Sequence, residues 1–225
     1  MSSKINRLIN RLRYKARYWV RKQKTHGELI EELISASIDI HHGKKIFVET
    51  GCGVSTISLG KCGSEGDVTI YTCDINSEKA DELKELSGPS IGNVQFRIGS
   101  SLDSLESIAQ NHDTIDFLFL DSAASAMYTF QEFMTVEKCL KTGSVLLIDN
   151  AAIPGEKHLL SPVRKGKILV PYLLASRYWE VQGHPDAGDS MVSAIKRDSP
   201  DYADPMYEDP GYIDHWRAQF NKEID

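Results

Sequence analysis

The sequence predicts an α/β fold, a doubly wound, mostly parallel sheet with a C-terminal antiparallel hairpin, on three observations. Short apolar runs alternate five times with segments of helical periodicity. Two later β-rich runs, Tyr178 to His184 and Met191 to Lys196, are separated only by Pro185-Asp186-Ala187-Gly188-Asp189, which has the composition of a hairpin loop. The first apolar run, Ile46-Phe47-Val48, stops on Glu49 and turns through Gly51 and Gly53 into a helix at Ser55 or Thr56.

The 225 residues suffice for one full core, and 41% hydrophobic with 26% charged residues is ordinary for a globular chain. No apolar run reaches membrane-spanning length, and Met1 to Lys24 has no continuous apolar h-region. Cys52, Cys62, Cys73 and Cys139 lie at unrelated spacings, so they read as reduced thiols of a cytoplasmic protein. Nine basic residues precede the first acid, Glu28, so the rest of the chain carries −15 against −6 for the whole.

Taken in order, residues 1–24 form a basic amphipathic helix with Ile5, Leu8, Ile9, Leu12, Ala16, Trp19 and Val20 on one stripe. This arm is expected to lie on the acidic domain or to join two copies in a homodimer, in preference to binding nucleic acid. Lys24 to Glu28 is a break before a helix over Leu29 to Ile40. After the glycine turn a short helix runs to Lys61, and Val68 to Cys73 is a strand ending on Asp74. Ser77 is expected to cap a helix over Glu78 to Leu86, closed by Ser87-Gly88-Pro89. Asn93 to Ile98 alternates as a strand, and Gly99-Ser100-Ser101 turns into a helix over Leu102 to Gln110. Ile115 to Asp121 is nearly all apolar, as a central strand buried on both faces must be. A helix over Ala126 to Leu140, a strand over Ser144 to Asn150, a Pro/Gly-containing loop over Ala151 to Lys167 and a helix over Ile168 to Ser176 interrupted by Pro171 complete the crossovers. The expected domain spans 25–197, and 198–225 is an acidic tail rich in Tyr and Pro.

In an open parallel sheet, ligands sit beyond the carboxyl ends of the strands. Glu49, Asp74, Asp121 and Asp149 all stand at such ends. Glu49 would repel a dinucleotide's pyrophosphate, which speaks against a nicotinamide-dependent reductase, and would favour a cationic nucleoside. With Glu49, Gly51, Gly53 and Asp74 in place, the stretch resembles the first two motifs of the class I S-adenosylmethionine-dependent methyltransferases, which have a Rossmann-like methyltransferase fold. The resemblance runs from about Thr25 to Ala152 and is greatest to the catechol and caffeoyl-CoA O-methyltransferase branch.

That resemblance implies S-adenosylmethionine as methyl donor and a small-molecule hydroxyl as acceptor. Gly51 and Gly53 would allow close approach, Ser55 would bond the methionine carboxylate, and Asp74 the ribose hydroxyls. Ile75 would cover the adenine and Ser101 reach its edge, although Ser101 reads equally well as a helix N-cap. His26 lies in the segment that passes over the active site in this branch, and reads equally as a loop histidine. Asp121, Asp149 and Asn150 match the residues that hold a divalent cation, expected to be Mg²⁺, with Asp121 also at the reacting groups. The sequence departs from the branch at Ala124, where a lysine base normally stands, leaving His26, Lys157 or His158 to supply one. Two alternatives therefore stand beside metal-assisted O-methylation: metal-free transfer to another acceptor, and a non-catalytic partner subunit that binds S-adenosylmethionine.

Overall fold

The apolar runs form strands because each presents β-branched, aromatic or leucine side chains to both faces and so needs cover on both. The computed structural model describes residues 24–152, 159, 162–176, 178–188 and 190–197. The expected N-terminal helix, the acidic tail, Lys157 and His158 lie outside them. Among the described residues the chain runs α1 (His26–Ser37), β1 (Lys45–Thr50), α2 (Val54–Gly63), β2 (Val68–Asp74), α3 (Ser77–Ser87), β3 (Val94–Ile98) and α4 (Ser101–Asn111). It continues through β4 (Phe117–Leu120), α5 (Ala126–Val136), β5 (Val145–Ile148), α6 (Gly166–Ala175), β6 (Trp179–His184) and β7 (Met191–Lys196).

The strands make one seven-stranded sheet in the order β3-β2-β1-β4-β5-β7-β6. All are parallel except β7, which runs antiparallel to β5 and β6. The terminal hairpin is thus present, with its second strand inserted beside β5. The winding reverses between β1 and β4, which places the crevice at their carboxyl ends.

Strand alternation divides the core between the two faces. Phe47, Phe117, Phe119, Val145 and Leu147 pack under Leu29, Ile30, Leu33, Ile34 and Leu59 of α1 and α2. Val48, Leu118, Leu120, Leu146 and Ile148 pack under Leu105 and Ile108 of α4, Phe133 and Val136 of α5, and Leu169, Val170 and Leu173 of α6. Each such side chain contributes roughly 1.5–3 kcal/mol through burial, so the central strands are the rigid base on which the loops of the crevice stand.

Several helix ends differ from the expectation, each for a local reason. α1 starts at His26, three residues early, because Thr25 and Glu28 close a capping box around it. Asn76 caps α3 in place of Ser77, its side chain accepting from the Lys79 N–H at 3.1 Å. Ser100, and not Ser101, caps α4. The helix after β4 changes to a 3-10 turn at Glu137–Cys139. α6 begins at Gly166 and passes through Pro171 without interruption, forgoing one backbone hydrogen bond.

Candidate active site

The turn after β1 is set by close packing. Gly51 has φ +88, and a Cβ there would lie 2.5 Å from the Asp121 carbonyl oxygen, so both conformation and space demand glycine. Gly53 is extended, and a Cβ on it would meet no atom of the described residues within 4 Å. No packing among the described residues therefore requires glycine at 53.

Glu49 does not line the crevice as expected from the sequence. Its side chain points inward and is fully buried. It accepts from Ser55 Oγ, from Thr56 Oγ1 at 2.6 Å and from Thr72 Oγ1 at 3.1 Å. Thr72 lies directly opposite it on β2, and Ser55 and Thr56 form the first turn of α2. Thr56 Oγ1 in turn accepts from the Gly53 N–H at 2.9 Å, so Glu49 braces the glycine turn from behind. Burial pushes its carboxyl up to about 7, against the pull of the three hydroxyls. Ser55 is committed to this carboxylate and is itself buried, so it does not face the crevice either.

Asp74, at the end of β2, is held in the opposite way. Its Oδ2 accepts from the Cys52 N–H at 2.9 Å and its Oδ1 from the Asn76 N–H at 2.9 Å, with Lys79 Nζ 3.3 Å away. Burial raises its pKa, but the hydrogen bonds from Asn76 and Cys52 and the lysine outweigh it and keep the carboxyl below its usual range. Next to it Ile75 is 81% exposed, a large apolar side chain standing free at a strand end.

Ser101 is buried and donates to Glu132 Oε1 at 2.5 Å, with the Tyr128 hydroxyl 2.9 Å from its own oxygen. Ser122 also donates to Glu132 Oε1, at 2.6 Å. Glu132 is fully buried, and burial pushes its pKa up against those hydroxyls. The sequence does carry a signal for it: Thr129, Glu132, Phe133 and Val136 share the buried stripe of α5, where an acid is out of place.

At the ends of β4 and β5 the acids meet cations. Lys165 Nζ, from the residue that precedes α6, donates to Asp121 Oδ1 and lies 3.5 Å from Asp149 Oδ2. His26 Nε2 lies 3.0 Å from Asp149 Oδ1, its ring 6.5 Å from that of Phe119. Asn150, at φ +53, donates its amide to Asp149 Oδ2 and accepts from Arg164 Nη1 on its carbonyl oxygen. Burial and the neighbouring Asp149 charge push Asp121 up, more than Lys165 lowers it. Asp149 is also raised by burial, but the hydrogen bond from His26 and the Lys165 charge hold it well below the usual range.

Residues 48–151 match the sequence profile of a family described as a methyltransferase domain. The chain is 28% identical over 120 residues to catechol O-methyltransferase of Mus musculus, a match covering 50% of this chain and 44% of that relative. Over these residues the chain is similar to the class I S-adenosylmethionine-dependent methyltransferases. It spans less than half the length of that mouse relative. The methyltransferase domain also matches the O-methyltransferase from Bacillus cereus in complex with SAH (TM-score 0.60, 21% identity, 76% of this chain and 80% of that chain). It matches the O-methyltransferase TomG from Streptomyces achromogenes in complex with SAM as well (TM-score 0.59, 18% identity, 76% and 79%). At these identities the two structures show the fold.

The methyltransferase domain brings Asp121, Asp149 and Asn150 together at the crevice, but in a form that does not suit a divalent ion. The ammonium of Lys165 already lies between the two carboxylates, and the Asn150 oxygen faces a guanidinium. Among the described residues no group of three His, Cys, Asp or Glu is placed to hold a metal ion. Lys165 and Arg164 have no counterpart in the sequence reading. They reach the pair from a loop separated from Asp121 by more than forty residues, a distance no local pattern spans.

Proposed function

We propose that the chain transfers the methyl group of S-adenosylmethionine to a hydroxyl of a small-molecule acceptor. The observation that carries this reading is the end of β2: both oxygens of Asp74 are fixed by backbone N–H groups beside the exposed Ile75 and the sterically open Gly53. An ionised, oriented carboxylate suits two vicinal ribose hydroxyls, and an exposed aliphatic side chain next to it suits an adenine face. Ser101, buried and donating to Glu132, does not offer its hydroxyl proton to the adenine edge. Glu49 acts through the turn that it braces, and Ser55 through Glu49.

In this reading the acceptor hydroxyl would bind at Asp121, and S-adenosylmethionine would supply the methyl group there. The hydroxyl's lone pair forms the C–O bond as the C–S bond breaks, the sulfonium becomes a neutral thioether, and the hydroxyl proton passes to Asp121. A carboxylate whose proton affinity is raised by burial and a neighbouring charge suits that role. His26, bound to Asp149, stands at the acceptor side with the small residues Ser122 to Ala126 and helps to wall the pocket. The donors around Asp121, Asp149 and Asn150 favour the metal-free form of this reaction over the Mg²⁺-assisted form.

Calorimetry decides the cofactor class: S-adenosylhomocysteine should bind and NADH should not. Transfer of a labelled methyl group from S-adenosylmethionine to a panel of catechols, phenols and aliphatic alcohols tests the reaction. Binding of NADH alone would overturn the reading, and binding of the homocysteine product with no acceptor methylated would favour the partner-subunit alternative.

A further inference from the structure

We propose that Lys165 supplies the positive charge at the paired carboxylates of β4 and β5, and that this methyltransferase domain works without a divalent metal. Lys165 is a positioning residue: its contacts are to Asp121 and Asp149, and it acts on the acceptor through Asp121. Its side chain is 5% exposed, as is that of Asp149, whereas that of Asp121 is 32% exposed. The ammonium thus sits behind Asp121 and turns one carboxylate oxygen inward, leaving the carboxylate's outer side toward the crevice.

The backbone holds the lysine there. Val163 N–H donates to the Ala151 carbonyl at 3.2 Å, and Gly166 N–H to the Val163 carbonyl at 2.9 Å. Gly166 packs so tightly on the segment after β5 that a Cβ on it would lie 2.2 Å from the Ala151 oxygen. Arg164 takes φ +45 between these anchors, and its guanidinium holds the Asn150 carbonyl oxygen. With its amide on Asp149 and its oxygen on the Arg164 guanidinium, Asn150 could ligate a cation between the aspartates only with a second positive charge against the same oxygen.

A divalent ion placed among these oxygens would stand beside an ammonium and would have to displace it, at a site Mg²⁺ enters only by shedding water. Ala124 and Lys165 read together in this light. The position three residues after Asp121 carries no charge, and the charge reaches the same carboxylate from the start of α6.

This inference rests on the methyltransferase reading for its activity arm alone; metal titration reads the carboxylates directly. Full-length chain freed of metal with EDTA is titrated with Mg²⁺ and Mn²⁺, followed by calorimetry, by the Mn²⁺ paramagnetic signal and by thermal melting. The wild type should bind neither ion and keep its Tm, and its methyl transfer should be indifferent to EDTA. Lys165→Met should bind Mn²⁺ and Mg²⁺, with a Tm rise on the order of 5–10 °C at about a hundredfold excess over Kd. Its lost kcat should return in part with Mg²⁺, a recovery that a merely structural lysine would not show.

Stoichiometric metal binding by the wild type, or activity abolished by EDTA and restored by Mg²⁺, would overturn the proposal. So would a Lys165→Met protein as indifferent to both ions as the wild type. Should Lys165→Met prove too unstable to purify, Lys165→Gln repeats the comparison, and the wild-type titration decides independently of either variant. A chain that binds neither S-adenosylhomocysteine nor Mg²⁺ would refute the proposed function while leaving the cation assignment intact.

Discussion

Glu49 and Asp74, at the ends of β1 and β2, accept hydrogen bonds from hydroxyls and backbone N–H groups, whereas Asp121 and Asp149, at the ends of β4 and β5, face an ammonium and an imidazole. The first pair is satisfied by neutral dipoles that come mostly from the same crossover. The second is satisfied by charges brought from other parts of the chain. Dipoles fixed in the turn need no counter-charge, so that half can approach a ligand without competition; Lys79, half exposed beside Asp74, adds little. The other half has its charge balanced internally, and an acceptor there meets a carboxylate already held in place.

Removing one charge from the second half should produce the largest effect. Lys165→Met leaves two neighbouring carboxylates without their buried cation, and loss of one partner of such a pair costs ~3–5 kcal/mol when both are fully buried. The partial exposure of Asp121 places the expected loss near the lower end, about 3 kcal/mol, read as a fall in the urea midpoint. A midpoint unchanged from wild type would remove the contrast between the halves.

The same contrast explains how much was legible from the sequence. Glu49, Asp74, Asp121 and Asp149 were legible as strand-end acids because each closes an apolar run, and the parallel, doubly wound sheet follows from alternation with helices. Where each acid points was not, because that depends on residues across the sheet. Thr72 opposite Glu49 requires the β1–β2 register, and Lys165 beside Asp121 requires the packing of α6 on β5. Ser100 and Ser101 show the limit on a smaller scale. A shift of one residue in the cap of α4 turns Ser101 from a cap into a donor to Glu132.

A pH titration separates the halves next. Glu49 has its folded pKa raised to about 7 from an ordinary value of 4.5, so between those values the folded state binds more protons than the unfolded state. Its contribution is fully present below about pH 4.5 and is lost as pH rises through 7, at about 1.4 kcal/mol per pKa unit, or roughly 3 kcal/mol over the window. Asp74 has the opposite sign: its lowered pKa gives stability above the unfolded value, lost as pH falls through the folded one. Glu49→Gln should flatten the stability profile between pH 4.5 and 7 while leaving the acid limb unchanged. Guanidinium melts at half-unit pH steps measure both, and an unaltered neutral limb in Glu49→Gln would show that burial does not raise this carboxyl.

Asp74→Ala should act on binding as well as on folding. It removes the acceptor for the N–H of Asn76, which is exposed and can take water, and for that of Cys52, which is buried, so stability should fall by about 1–3 kcal/mol. A hydrogen bond to a charged acceptor is worth about 1.5–3 kcal/mol, so S-adenosylhomocysteine should bind roughly 10- to 100-fold more weakly by calorimetry. Equal affinity in the two proteins would mean that the cofactor does not use the end of β2.

The smallest change in stability should come from Gly53→Ala, and its value lies in the comparison with Gly51→Ala two residues earlier. At Gly51 an added methyl group meets the Asp121 carbonyl in a backbone conformation that L residues avoid, so the turn itself must shift and the chain should lose well over 1 kcal/mol. At Gly53 the same methyl group meets no atom of the described residues and the backbone is extended, so folding stability should stay within about 0.5 kcal/mol of wild type. If glycine at 53 serves the approach of the methyl donor, Gly53→Ala must weaken S-adenosylhomocysteine binding in a protein whose melting curve is otherwise unaltered. That combination distinguishes a residue kept open for a ligand from one kept small by the fold, and undiminished affinity in Gly53→Ala would move the donor away from the turn.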